Sequence, residues 1–213
     1  MTPDLFGDAP RDVTLADGAV LLGGFARPVD RELLDALSSV AREAPFRHMA
    51  TPGGRSMSVA MINCGAVGWV TDRSGYRYDP IDPGSGRLWP QMPAVFADLA
   101  RGAAAAAGFA EFAPDGCLIN RYVAGSRLSL HQDKDERDFS SPIVSVSLGL
   151  PALFLWGGQN RADRPRRVPL EHGDVVVWGG PVRLAFHGVN PLAGGNHPLT
   201  GAVRYNLTFR RAT

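Results

Sequence analysis

The sequence predicts a mainly β fold, a sandwich or barrel with flanking helices, and three observations carry that expectation. After Gly116 the chain breaks into short segments of strand length, several of them alternating apolar with polar residues. Turn-forming clusters separate them: Ala124-Gly125, Gly157-Gly158, His172-Gly173-Asp174, Gly179-Gly180-Pro181 and Gly194-Gly195-Asn196. Helical spacing of apolar residues is found in two stretches, both before that point.

Taken in order, Gly18 to Phe25 is a short apolar run and reads as a strand. Val29, Leu33, Leu34, Leu37, Val40 and Ala41 recur at helical intervals with charged residues between them, which predicts an amphipathic helix packed on a core. Ser56 to Cys64 alternates, with Met57, Val59, Met61 and Asn63 on one face. Tyr76 to Pro90 is rich in Pro, Gly and Asp and reads as a loop. A second helix is expected from Pro93 to about Ala107, opened by Pro93 and closed by Gly108. Strands then follow at roughly Cys117–Val123, Arg127–Asp133, Ile143–Leu150, Ala152–Trp156, Asp174–Trp178, Arg183–His187 and Val203–Arg210. The chain reads as one domain, 1–213, with a mixed α/β flank or lid over about 1–90 and a β core over about 115–213.

Composition narrows the class. With 45% hydrophobic and 20% charged residues, 213 residues can bury a large core without staples. Cys64 and Cys117 stand alone in sequence, which suits small apolar strand positions in a reducing interior better than a disulfide framework. Met1-Thr2-Pro3-Asp4 does not open like a signal peptide, and no apolar stretch is long enough to cross a bilayer. A cytoplasmic monomer without membrane contact is the expectation. The net charge of +1 excludes a polycation, so nucleic-acid binding would need a local basic patch.

The chemistry concentrates in Leu128-Ser129-Leu130-His131-Gln132-Asp133-Lys134-Asp135. On a strand, residues two apart share a face, so His131 and Asp133 would project together. An imidazole and a carboxylate make two corners of a facial triad, the arrangement that suits non-heme Fe(II) because it leaves coordination positions open. A lone His-x-Asp is more often a solvated strand edge. Of the five histidines, His187 has the best position for a third ligand, at the end of the alternating run Arg183–His187; His48, His172 and His197 sit in less suitable contexts. The final strand changes the odds. Val203, Tyr205, Leu207 and Phe209 make an apolar face; Arg204, Asn206, Thr208 and Arg210 make a polar one. If that polar face lines the barrel, two guanidiniums need anionic partners, and a dicarboxylate supplies two. On this reading Arg210 clamps the far carboxylate and Arg204 pairs with a nearer one, including that of Asp133. Asn120 and Tyr122, two apart on another strand, add neutral hydrogen bonds.

These residues resemble the AlkB-type nucleic-acid dealkylases. The likeness is carried by Asn120-Arg121-Tyr122, by His131-Gln132-Asp133-Lys134-Asp135-Glu136, by the His187 region and by Arg204-Tyr205-Asn206-Leu207-Thr208-Phe209-Arg210. It extends to Thr51-Pro52-Gly53-Gly54, Ser56 to Met61, Tyr76 to Pro83 and Glu171 to Gly180. The resemblance implies a double-stranded β-helix (jelly-roll) core with an N-terminal nucleotide-recognition lid. It implies Fe(II) on His131, Asp133 and His187, and 2-oxoglutarate held by Asn120, Tyr122, Arg204, Asn206 and Arg210, with O2 as the other cosubstrate. Trp69, Tyr76, Arg77, Tyr78, Asp135 and Arg161 fall at positions that handle the damaged nucleotide. The implied reaction is oxidative demethylation of bases such as 1-methyladenine and 3-methylcytosine in single- or double-stranded DNA, with RNA as a further substrate, releasing formaldehyde, succinate and CO2.

Elementary physics agrees with those roles. Trp69 offers a flat face to a flipped base, with His131 as the opposite wall. Both lesions are cationic, so the Asp135 carboxylate would favour them over undamaged bases. Tyr76 and Tyr78 can donate to phosphates. Arg161, Arg164, Arg166 and Arg167 form a basic run that is either a solvated face or a backbone clamp. The sequence departs from the bacterial repair enzyme of this family at Arg55, where that enzyme has an aromatic residue, at Phe154-Leu155-Trp156 and across the loop Gln159 to Arg167. Three other readings compete: the same iron chemistry on a protein or small molecule, a lesion-binding protein without turnover, and a cupin-like metal-storage module.

Overall fold

A computed structural model of the protein describes residues 12–213. Met1-Thr2-Pro3-Asp4, where the expectation about a leader was drawn, lies outside them. Strands β1 (Val13–Ala16) and β2 (Ala19–Leu22) form an antiparallel pair at the start, followed by helix α1 (Asp30–Glu43). Next come β3 (Arg47–Ala50), β4 (Ser56–Gly65) and a hairpin of β5 (Gly68–Asp72) and β6 (Gly75–Asp79). Helix α2 (Ala94–Ala106) leads into β7 (Gly116–Tyr122), β8 (Leu128–His131), β9 (Ile143–Gly149) and β10 (Ala152–Trp156). The chain then runs through β11 (Arg166–Leu170), β12 (Val175–Trp178), β13 (His187–Val189) and β14 (Arg204–Arg210).

Two sheets face each other. The larger has eight strands in the order β1-β2-β12-β9-β14-β7-β4-β3, the smaller four in the order β11-β10-β13-β8. Strict alternation along the large sheet sends side chains to two separate cores. Ile62, Ile119, Val146, Val177, Leu207 and Phe209 point away from the small sheet and join Leu33, Leu37, Val40, Phe96 and Leu99 of the helices. Phe96 meets Phe209 edge to face with ring centroids 6.0 Å apart, and burying each ring stabilises by about 2–3 kcal/mol. The other face points between the sheets: Met61, Leu118 and Trp178 pack there with Phe154, Trp156 and Val189. Arg204, Asn206, Thr208 and Arg210 enter the same space, all nearly fully buried. The polar face of β14 therefore lines the interior, as the barrel reading of the sequence requires. Cys64 and Cys117 are buried opposite one another on β4 and β7, and both belong to the helix-side core.

Four expectations about elements need correction. The Arg183–His187 strand is absent: a 3-10 turn spans Gly180–Val182, and His187 begins β13 instead of ending a strand. The strand predicted over Arg127–Asp133 stops at His131, so Asp133 is not placed by strand alternation. The loop predicted from Tyr76 contains β6. Arg166 and Arg167, where no strand was expected, begin β11 with their side chains exposed.

The β5–β6 hairpin is attached by specific bonds more than by the main cores. Asn63 on β4 takes the Trp69 backbone N–H with its Oδ1 and donates its Nδ2–H to the Trp69 carbonyl, each at 3.0 Å. Gly68 makes this approach feasible, because a Cβ there would fall 2.5 Å from the Trp89 ring and 2.7 Å from the Asn63 Cβ. Val70 and Trp89 form a small satellite cluster with Ala44 beneath the hairpin. No helix among the described residues is long and apolar enough to cross a membrane.

Candidate active site

β8 and β13 are antiparallel neighbours in the small sheet, and their register sets His131 directly opposite His187. The segment leaving β8 then carries Asp133 back toward both rings. One ligand atom from each of His131, Asp133 and His187 lies within 4.8 Å of the others. His131 Nε2 is 3.8 Å from Asp133 Oδ1, and His187 Nε2 is 3.7 Å from Asp133 Oδ2. Each imidazole uses its other nitrogen on the backbone: Nδ1–H of His131 donates to the Ser129 carbonyl at 2.8 Å, and that of His187 to the Ala185 carbonyl at 3.0 Å. A carbonyl can only accept, so both Nε2 atoms keep free lone pairs turned toward the carboxylate. Two nitrogens and one carboxylate oxygen, with no fourth donor among the described residues of the cluster, fit an open iron site better than a closed structural one.

The electrostatics are those of a site built for a cation. Burial would raise the Asp133 carboxyl, but the charge of Arg210 and the two imidazoles override it and hold the group well below the usual carboxylate range. Burial, followed by repulsion from His131, pushes His187 down to about 4. His187 therefore stays neutral and ligand-competent at physiological pH. A stability consequence follows for the metal-free protein. Between pH 6.5 and about 4 the unfolded chain protonates this imidazole and the native state does not, so stability falls as pH falls, by up to about 3 kcal/mol. Thermal denaturation in chelator between pH 7.5 and 5 should show the decline, and His187→Gln should flatten it. A pH-independent wild-type midpoint would mean that the ring is not held neutral.

The residues expected to hold the cosubstrate are adjacent on the interior face of the large sheet. β14 pairs with β7 so that Arg204 faces Tyr122 and Asn206 faces Asn120, which puts all four side chains on one patch. Arg204 is 1% exposed, and its Nη2 donates to Ser147 Oγ at 3.0 Å. Among the described residues its Nε and Nη1, the Tyr122 hydroxyl and the Asn120 Oδ1 have no hydrogen-bond partner. The Arg204 guanidinium lies over the Tyr122 ring, 4.9 Å from its centroid, and no carboxylate among the described residues pairs with it. Burial lowers its pKa and pushes the Tyr122 phenol up to about 12. A buried cation with two unused donors beside an unused phenol O–H is costly unless an anion binds there. A carboxylate fits that set of donors. Asn206 is more completely engaged, donating to Ser145 Oγ at 2.8 Å and the Val146 carbonyl at 3.1 Å.

The pairing with Asp133 expected of Arg204 is made by the other arginine. Arg210, not Arg204, pairs with Asp133, through Nη2 at 2.6 Å and Nε at 3.0 Å to the same Oδ2. The cause is position on the strand: Arg210 ends β14 beside the segment carrying Asp133, whereas Arg204 lies at its other end, against Tyr122 and Ser147. Arg204 thus pairs with no carboxylate among the described residues.

The nucleotide-handling candidates divide. Trp69 is half-buried, its Nε1–H donates to Asp135 Oδ2 at 2.8 Å, and Tyr76 stacks on it with centroids 5.7 Å apart. Tyr78 turns inward and donates its hydroxyl to Glu136 at 2.7 Å, so of the two tyrosines it is Tyr76 that is open to a phosphate. Arg77 is engaged within its own hairpin by Asp72 and Asp79. Tyr76, Arg77, Tyr78, Pro80, Asp135 and Arg137 line a cleft of about 480 Å³ between the hairpin and the segment after Asp133. Arg161 is exposed in the β10–β11 loop with its guanidinium 5.9 Å from the centroid of Phe186, next to His187. Arg166, by contrast, donates to the Leu15 carbonyl at the edge of β1, so the basic run is split. Sequence reading missed Asn63, Arg183 and Glu136. An amide on the apolar face of β4 was the available signal for Asn63; the buried ion pair of Arg183 and Glu136 had none.

Comparison with known proteins agrees with this geometry. The sequence profile of the 2OG-Fe(II) oxygenase superfamily matches residues 18–210. The chain is 59% identical to the alpha-ketoglutarate-dependent dioxygenase AlkB of Salmonella typhimurium, over 98% of this chain and 97% of that one. It is 58% identical to the Escherichia coli protein of the same name, with the same coverage. Among solved structures, that of OsALKBH1 superposes with a TM-score of 0.80 at 31% identity, covering 94% of this chain and 99% of the other. The fold is the jelly roll of these oxygenases, and the family takes Fe(II), 2-oxoglutarate and O2. A jelly roll with an open triad beside an unmatched buried arginine, related along its whole length to such enzymes, belongs to the AlkB-type alpha-ketoglutarate-dependent dioxygenases of the 2OG-Fe(II) oxygenase superfamily.

Proposed function

We propose that the protein removes alkyl groups oxidatively from cationic bases of nucleic acid, with 1-methyladenine and 3-methylcytosine in DNA as its substrates and RNA as a further one. In this reading His131, Asp133 and His187 hold the iron, Arg204 and Tyr122 take the far carboxylate of 2-oxoglutarate, and Arg210, Asn120 and Asn206 line its nearer end. The observation that carries the reading is the buried, unpaired Arg204 guanidinium in the same interior as the open triad. When bound, the iron, 2-oxoglutarate and O2 supply the oxidising power that hydroxylates the N-alkyl carbon, with succinate and CO2 as by-products.

The chain's own residues do the placing. Asp135 holds the Trp69 edge and Tyr76 covers one indole face, which leaves the other face for a flipped base. The side chain of His131 is 39% exposed, so one side of its ring stays accessible while its Nε2 faces the cluster. The Asp135 carboxylate, beside that base, favours a positively charged lesion over a neutral one. The exposed Arg161 and Tyr76 are suited to backbone phosphates. The β5–β6 hairpin serves as the nucleotide-recognition lid, since it carries Trp69 and Tyr76 beside Asp135.

Anaerobic reconstitution with Fe(II) and 2-oxoglutarate, followed by oxygen and a methylated oligonucleotide, tests the proposal. Base reversal with stoichiometric succinate is expected. Succinate without reversal would point to a protein or small-molecule substrate instead. A sharper prediction concerns Asp135→Asn: turnover survives, but the ratio of kcat/KM for cationic over neutral lesions falls about tenfold, equal to about 1.4 kcal/mol of lost discrimination. An unchanged ratio would remove Asp135 from lesion selection.

A further inference from the structure

We infer that Glu136 is a positioning residue, coupling the seating of the β5–β6 hairpin to the cosubstrate centre through Arg210; the inference rests on the site reading above. The Glu136 side chain is 1% exposed, so it is inaccessible to a base or a phosphate and acts only through its neighbours. It has three of them. The Tyr78 hydroxyl, from the hairpin, donates to Oε1 at 2.7 Å. Arg210 Nε lies 3.3 Å from the same oxygen. Arg183 Nη2 pairs with Oε2 at 3.2 Å. Arg210 in turn holds the Asp133 carboxylate, and Arg183 Nη1 donates to the Asp133 carbonyl at 2.8 Å. Two carboxylates and two guanidiniums thus balance in a buried cluster, and one phenol connects it to the substrate hairpin.

The shared oxygen makes the coupling directional. Burial pushes the Tyr78 phenol well up, so it keeps its proton and remains the donor. With Tyr78 seated, Oε1 divides its negative charge between a hydroxyl and Arg210. When the hairpin lifts, Oε1 loses the hydroxyl and attracts Arg210 more strongly, away from Asp133 and from the near end of the cosubstrate. In a low-dielectric interior such redistribution is not screened. The hairpin that grips the nucleotide and the arginine that faces the cosubstrate therefore read one another's position. Linkage makes the effect reciprocal for binding.

The alternative is that Glu136 only neutralises the buried Arg183. Tyr78→Phe separates the two, because it keeps both charges and removes one hydroxyl. The measurement is 2-oxoglutarate affinity by calorimetry on Mn(II)-loaded protein without oxygen, so that no turnover contributes. Tyr78→Phe should weaken binding about fivefold, the lower end of ordinary allosteric coupling. In a Glu136→Gln background the same change should have no further effect. An unchanged affinity in Tyr78→Phe, or independent multiplication of the two effects, would overturn the coupling. If Glu136→Gln does not fold, the Tyr78→Phe affinity alone decides. Arg210→Ala is the control on the underlying reading. If it leaves affinity intact, the cosubstrate assignment itself fails; if it weakens binding while Tyr78→Phe does not, only the coupling fails.

Discussion

Asp133→Ala and His131→Ala should both abolish turnover, yet differ sharply in stability. Removing even a residue that only supports a metal ligand costs about 10–100-fold in affinity or activity, so losing one of three direct ligands should cost on the order of 1,000-fold or more. Fe(II) binding in anaerobic titration should fall with it. The metal-free proteins separate the two residues. Asp133 is buried and accepts two hydrogen bonds from Arg210, so its loss leaves a buried guanidinium with Glu136, at 3.3 Å, as its remaining carboxylate among the described residues. Breaking such a pair costs about 3–5 kcal/mol when the orphan has no other partner. Glu136 should reduce that to about 2–3 kcal/mol, or a midpoint lower by roughly 4–12 °C for a chain of this size. The half-exposed His131 ring makes one hydrogen bond among the described residues, to the Ser129 carbonyl, and truncating it should shift the midpoint by a degree or two. Equal destabilisation in the two variants would contradict the buried pair; retained iron binding in either would contradict the triad.

The contrast shows which kinds of information were readable along the chain. β14 was legible almost in full, because period-two alternation over seven residues forces its polar residues onto one face, and two arginines there demand an interior anion or open solvent. The helices were legible from their apolar spacing. His187 was found by elimination although its strand was misread. Arg183 to Phe186 alternate like a strand, but Gly179-Gly180-Pro181 imposes a 3-10 turn that delays β13. Asp133 was identified by spacing for a reason that does not hold, since β8 ends two residues earlier.

What stayed hidden was either local masking or long-range pairing. Pro169 disguised β11, which tolerates it because an edge strand has a free side. The glycines, prolines and aspartates after Tyr76 disguised a hairpin that Asn63 and Trp89, on either side of it in the chain, fasten by hydrogen bonds to Trp69 and Asp79. The pairing of Asp133 with Arg210 could not be read either. Both lie on the same face of one strand, and which of them meets Asp133 depends on where the segment after β8 crosses the sandwich.

That pairing leads to a second large effect, of opposite sign in two assays. Arg204→Met should weaken 2-oxoglutarate binding while leaving the ligand-free protein as stable as wild type or more so. In the complex, removing the guanidinium strands a buried carboxylate, a loss of about 2–4 kcal/mol, or roughly 30- to 1,000-fold in Kd. In the free protein the balance differs. Arg204 makes one hydrogen bond, to Ser147, worth about 1 kcal/mol, and one cation–π contact with Tyr122, worth about 1–2 kcal/mol. Against these stands the desolvation of an unpaired buried charge, several kcal/mol even after relaxation. Methionine fills similar space without that penalty, so the free variant should melt at or above the wild-type temperature. Added 2-oxoglutarate should raise the wild-type midpoint by mass action and leave the variant's unmoved over the same concentrations. A variant that melts well below wild type and binds 2-oxoglutarate normally would make Arg204 a structural cation. An arginine buried at a cost to the free fold is explicable when the binding of a diacid offsets the cost, and this pair of opposed shifts measures both sides of that balance on one residue.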